Sequence, residues 1–95
     1  MTRYEVMYIL TPDYDEDMIN ENIEWAKKII ESNNGELEEL KKWGKRRLAY
    51  EIEEHQEGQY MLGYFRGDLQ TTSELERSFK LNDRVLRHMI LKADA

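Results

Sequence analysis

The sequence predicts an α+β fold in which a four-stranded antiparallel sheet carries two helices on one face. Three observations predict it. Residues alternate with period two over Arg3–Leu10, from Lys45 to Ile52 within Leu37–Ile52, and over Gln59–Gly67, the mark of strands, and Arg84–Lys92 reads as a last strand. Helical spacing occupies Asp15–Asn33 and a second, shorter stretch that opens at Thr71. The resulting order, strand, helix, strand, strand, helix, strand, is the split βαββαβ or ferredoxin-like arrangement. Its usual strand order, 4-1-3-2, puts the second strand at an edge, and its parallel crossovers are right-handed.

The elements follow in order. In the first strand Tyr4, Val6, Tyr8 and Leu10 point one way, and Arg3, Glu5, Met7 and Ile9 the other. Thr11-Pro12-Asp13 ends it, because proline has no N–H for a central ladder. Asp13 is the expected N-cap of the first helix, with Glu16 at capping-box spacing. Ile19, Ile23, Ala26 and Ile30 form its buried stripe, widened by Met18, Trp25 and Ile29. Asn33-Asn34-Gly35 stops it, with Gly35 expected in the left-handed conformation.

The second strand is the unusual one. From Lys45 onward Arg46, Leu48, Tyr50 and Ile52 alternate with Arg47, Ala49 and Glu51. At about 3.3 Å per residue, Leu37–Ile52 would span roughly 50 Å, more than a small sheet needs. One end is therefore expected to project as an arm, re-aimed by a bend or bulge at Gly44. Lys41-Lys42 and Arg46-Arg47 flank Trp43-Gly44. Such charges hinder sheet-to-sheet aggregation, and in an acidic protein they also mark a docking edge.

Glu53–Gly58 reads as a polar turn. The third strand sets Met61, Gly63 and Phe65 on one face and the stripe Tyr60, Leu62, Tyr64, Arg66 on the other. Thr71 and Glu74 have capping-box spacing, and Leu75 and Phe79 are the buried pair of the second helix. Leu81-Asn82-Asp83 turns the chain. In the last strand the inward set is either Val85, Met89 and Leu91 or Leu86 and Ile90.

Ninety-five residues bound a single domain, 1–95. There is no cysteine, so disulfides, thiol nucleophiles and thiolate metal sites are excluded. No apolar run approaches the ~20 residues of a membrane span, and MTRYEVMYIL lacks the form of a signal peptide. The expectation is a soluble intracellular protein with no membrane partner. His55 and His88 are far apart and form no metal-binding spacing; His88 is expected to be structural. GQYMLGYFRG opens no helix and cradles no phosphate. No catalytic residue, metal or cofactor is expected, and the chain reads as a non-enzyme.

A net charge of −6 argues against nucleic-acid binding by the total alone. The distribution qualifies that. Acidic residues crowd 13–39 and 51–57; basic ones recur at 41–47 and 80–92. Arg84, Arg87 and Lys92, with Arg3 on the neighbouring strand, read as a small phosphate-contacting patch. At about 0.7–0.9 log units of salt dependence per contact, such a patch binds weakly alone, so a more basic companion is expected. The Tyr60–Arg66 stripe suits either stacked bases or a protein partner.

Arg3-Tyr4-Glu5, then Gly44-Lys45-Arg46-Arg47-Leu48-Ala49-Tyr50, then Glu57-Gly58-Gln59-Tyr60, then Val85-x-Arg87-x-x-Ile90-x-Lys92 together resemble the bacterial-type ribosomal protein S6 family. The resemblance covers nearly the whole chain, and R-R-L-A-Y is its specific part. It implies the same fold and a structural, non-enzymatic role in the small ribosomal subunit, in the cytoplasm. It implies binding of the central domain of 16S-type rRNA jointly with ribosomal protein S18, and no small-molecule substrate. Arg46, Arg47, Leu48 and Tyr50 match the family motif and are assigned, with Tyr60 and Leu62, to S18. Arg3, Tyr4, Arg87 and Lys92 match terminal-strand positions and are assigned, with Arg66 and Arg84, to RNA. Thr2 stands where some members carry a basic residue, and the chain stops at Ala95 where some carry a long acidic tail, so no tail function carries over.

Two rival readings are weaker. A single-strand binder of the RNA-recognition-motif type needs a basic-Gly-aromatic opening that Gln59–Arg66 lacks. A small-molecule site on this fold lacks a phosphate loop after the first strand.

Overall fold

Alternation in the first strand decides the layering. The computed structural model describes residues 1–93, so the expected domain end at Ala95 lies outside the described residues. The elements are β1 (Thr2–Leu10), α1 (Glu16–Glu31), β2 (Glu36–Ile52), β3 (His55–Gly67), α2 (Leu69–Leu81) and β4 (Val85–Lys92). They form one antiparallel sheet in the order β2-β3-β1-β4, the expected order, with β2 at an edge. Val6, Tyr8 and Leu10 of β1 join Met61 and Phe65 of β3 in the core. Against them α1 buries Ile19 and Ile30, and α2 buries Leu75 and Phe79. Phe79 is packed by Tyr8, Trp25 and His88, with ring centroids at 4.7, 5.9 and 5.4 Å. Burying side chains of this size stabilises by about 1.5–3 kcal/mol each, which holds both helices to one face. No helix among the described residues is long and apolar enough to cross a membrane.

The helix ends differ from expectation. Asp15, not Asp13, caps α1: its carboxylate accepts from the Met18 N–H at 2.9 Å. Asp13 is taken instead by the Thr11 hydroxyl and by Arg84. Asn34, with φ 65°, adopts the left-handed conformation expected of Gly35. Gly35 is needed for space, since a Cβ there would stand 2.5 Å from Thr71 Cγ2 and 2.9 Å from the Arg66 carbonyl. The capping box of α2 is Asp68 with Thr71, three residues earlier than Thr71 with Glu74. Thr71 is buried, and its hydroxyl donates to the Asn33 carbonyl at 2.6 Å, tying the start of α2 to the end of α1.

Other corrections concern faces. Asn22 belongs to the buried stripe of α1, while Ile23 is half-buried. The Tyr8 hydroxyl donates to Asn22 Oδ1 at 2.5 Å, so the polar side chain is satisfied inside the core. The inward set of β4 is neither alternative. A register shift between Ile9 and Leu10 sets Val85 opposite Leu10, yet His88 opposite Tyr8 and Ile90 opposite Val6. A slip of one residue exchanges the faces, so Val85, His88 and Ile90 face the helices while Met89 and Leu91 are exposed on the other side.

Candidate functional site

Both helices lie on one face, which leaves the other uncovered. It displays Arg3, Glu5, Met7 and Ile9 of β1 between Tyr60, Leu62, Tyr64 and Arg66 of β3 and Arg87, Met89 and Leu91 of β4. Ile9 is buried; Met7, Tyr60, Leu62 and Tyr64 are half-buried.

The hairpin of β2 and β3 overruns the sheet. Pairing of β1 with β3 stops at Leu10 and Gln59, whereas β2 and β3 continue to Ile52 and His55. The turn is therefore shorter than Glu53–Gly58: only Glu53 and Glu54 form it, both with positive φ. Gly44, at φ 111° beside a register shift between Lys42 and Gly44, supplies the expected bulge. The arm does not project freely. It curls over the uncovered face, so that Leu48, Tyr50 and Ile52 enclose with Ile9, Tyr60 and Met89 a cleft of about 200 Å³. Leu48, assigned to a partner from the sequence, is only 8% exposed and is covered by the chain itself. Tyr50 is 61% exposed, and its hydroxyl accepts a hydrogen bond from Arg87.

The outer edge of β2 carries the cations. Lys45, Arg46 and Arg47 are exposed, with the Arg46 guanidinium carbon 4.6 Å from the ring centroid of a half-exposed Trp43. Lys41 and Lys42 are paired with Glu39 and, on α1, Glu16.

At the opposite end of the uncovered face Arg3 and Arg66 stand directly across from each other. Each presents Nε to a different oxygen of Glu38, at 2.8 and 2.6 Å. Arg3 also lies over the Tyr64 ring, 4.4 Å from its centroid. The hydrogen bonds from Arg3 and Arg66 hold the Glu38 carboxyl below its usual range, and the Glu38 carboxylate raises the Arg3 guanidinium.

The patch counted from the sequence is dispersed. β1 and β4 are antiparallel, so Arg84 and Arg87 lie near Leu10 and Ile9, while Lys92 lies opposite Tyr4. Six residues of β1, about 20 Å, separate Arg3 from the position opposite Arg87. Arg84 pairs with Asp13 and covers Tyr14 at the turn. Lys92 is exposed at the helix-side register. Tyr4 is no surface platform: it stacks on Phe65 at 5.3 Å and packs against the core. Glu38 was missed, because a register shift between Leu37 and Glu39 breaks the alternation that would have placed it beside Arg3.

Comparison with known proteins covers this whole architecture. The family model for ribosomal protein S6 matches residues 3–92. A small ribosomal subunit protein bS6 from Desulforudis audaxviator is 47% identical over 94 residues, spanning 99% of this chain and 100% of the relative. The bS6 of Clostridium acetobutylicum is 44% identical, spanning 99% of both. The crystal structure of 30S ribosomal protein S6 from Thermotoga maritima superposes with a TM-score of 0.87 at 33% identity, covering 97% of this chain and 87% of that one.

Proposed function

The chain belongs to the ribosomal protein S6 family, a structural and non-enzymatic family of the small ribosomal subunit, and from that premise we propose that it pairs with ribosomal protein S18 and grips 16S-type rRNA as half of that pair. Family membership places it in the cytoplasm within the ribosome. The observation that carries the finer reading is the edge of β2. Lys45, Arg46 and Arg47 are exposed beside Trp43 on a strand that has a neighbour on one side only. An edge strand offers unpaired backbone groups as well as side chains, and these charges keep it from pairing with its own copies until the right partner arrives.

The total charge of −6 supports a shared task. Free cations on the uncovered face are few, and phosphate contacts of that number bind weakly at physiological salt. A companion that contributes basic surface raises the joint affinity without new contacts here. Arg46, Arg47 and Tyr50 serve the companion in this reading, with Tyr60 and Leu62 behind them. Leu48 acts from beneath as support for the arm. Arg3 and Arg66 serve RNA; Arg87 does so once it leaves Tyr50.

The test is charge reversal. Arg46→Glu with Arg47→Glu abolishes association with S18 in titration calorimetry, while the thermal midpoint stays within a few degrees. Undiminished association removes the edge strand from the interface.

A further inference from the structure

We propose that Glu38 is a positioning residue that fixes Arg3 and Arg66 as a two-armed phosphate clamp, so that a carboxylate strengthens the hold on RNA. The inference rests on the rRNA-binding reading above. Its geometry is independent of that reading. Arg3 on β1 and Arg66 on β3 are register partners, and a carboxylate from β2 takes the Nε of both. The two side chains remain 38% and 51% exposed, and the side chain of Glu38 26%.

A guanidinium carries five N–H donors, so engagement through Nε leaves the Nη groups for an outside acceptor. Unaided, two neighbouring guanidiniums repel each other and each loses rotamer freedom when it binds. Glu38 offsets the repulsion and sets both planes beforehand. Tyr64 adds a floor: its ring lies under Arg3, and its hydroxyl donates to Glu5 at 3.4 Å. Arg3, Arg66 and Glu38 together carry one net positive charge, the complement of one phosphodiester. Planar paired donors are the chemistry that recognises phosphate bidentately.

Simple electrostatics predicts the opposite sign for this carboxylate. A negative charge beside a phosphate site repels RNA, so its removal should tighten binding. The experiment uses the S18-bound protein and a central-domain rRNA fragment at fixed salt, with wild type, Glu38→Gln, Arg3→Lys and Arg66→Lys. Thermal midpoints and S18 affinity are measured on each. Glu38→Gln is expected to weaken RNA binding about three- to tenfold, the worth of a hydrogen-bonding arrangement, with S18 affinity unchanged. Each Arg→Lys is expected to weaken it as well, because lysine keeps the charge and loses the fork. Equal or tighter RNA binding by Glu38→Gln overturns the proposal, as does a loss confined to S18 pairing. If Glu38→Gln fails to fold, Glu38→Asp decides: the charge is kept, the oxygens withdraw, and unchanged RNA affinity overturns the clamp. A wild-type pair that does not retain the fragment overturns the rRNA reading and the clamp with it.

Discussion

Arg87 of β4 reaches across the uncovered face to Tyr50 of the arm: it donates to the phenol oxygen, and its guanidinium carbon stands 5.7 Å from the ring centroid. The contact joins a strand at one edge of the sheet to the overrun of the strand at the other. It fastens the arm above the cleft and occupies a cation otherwise available to phosphate.

Removing that fastening loosens the arm without unfolding the protein. An exposed cation–aromatic contact is worth about 0.5–1 kcal/mol. Arg87→Ala should therefore raise hydrogen-exchange rates at residues 48–52 about two- to fivefold, with core amides of β1 unchanged. Unaltered exchange in the arm means that Leu48 and the backbone ladder hold it alone.

The Tyr8–Asn22 bond is a polar contact between buried side chains. Burial also pushes the Tyr8 phenol far above its ordinary pKa, so it remains a neutral donor. Tyr8→Phe leaves Asn22 Oδ1 without its partner and is expected to cost about 1–3 kcal/mol in urea unfolding. Adding Asn22→Leu should recover part of that loss, because the unsatisfied acceptor is then gone. No recovery would show that ring packing, not the hydrogen bond, accounts for the cost.

Gly35→Ala should destabilise by about 1–3 kcal/mol, because its Cβ has no room between Thr71, Ile30 and the Arg66 carbonyl. The urea midpoint measures this, and an unchanged midpoint would mean that the α1–β2 corner yields freely.

Acid should weaken the fold over a definite window. Glu38 is held below its ordinary pKa by hydrogen bonds from Arg3 and Arg66, Asp13 chiefly by the Thr11 hydroxyl, and Asp68 chiefly by the Thr71 N–H. Groups with depressed folded pKa values contribute stability that is complete above the unfolded value, about 4, and is lost as pH falls through the lower folded values. The urea midpoint should be flat from about pH 7 to 5 and decline below about 4. Glu38→Gln should shrink the decline. A midpoint independent of pH down to about 3 would contradict the carboxylate assignments.

Much of this was legible in the sequence, and the failures have a common cause. Period-two alternation located β1, β3 and the far half of β2, and the faces of β1 and β3 were right because Val6, Tyr8, Met61 and Phe65 leave no second choice. Gly44 was readable as a bulge because glycine interrupts an otherwise continuous strand. Features set by tertiary partners were not readable. Asp13 and Asp15 are equally good caps until Arg84 claims the first. Asn22 looks like a surface residue until Tyr8 is placed opposite it. Likewise Leu48 looks available for a partner until the arm folds back, and the cations of β4 look clustered until antiparallel pairing spreads them along β1.

The central claim is that this acidic chain holds rRNA only in company. Retention of a central-domain rRNA fragment, measured at physiological salt for the chain alone, for S18 alone and for the equimolar pair, tests it most directly. The account predicts tight, salt-sensitive retention by the pair and little by this chain alone. Retention by the chain alone as strong as by the pair would contradict it.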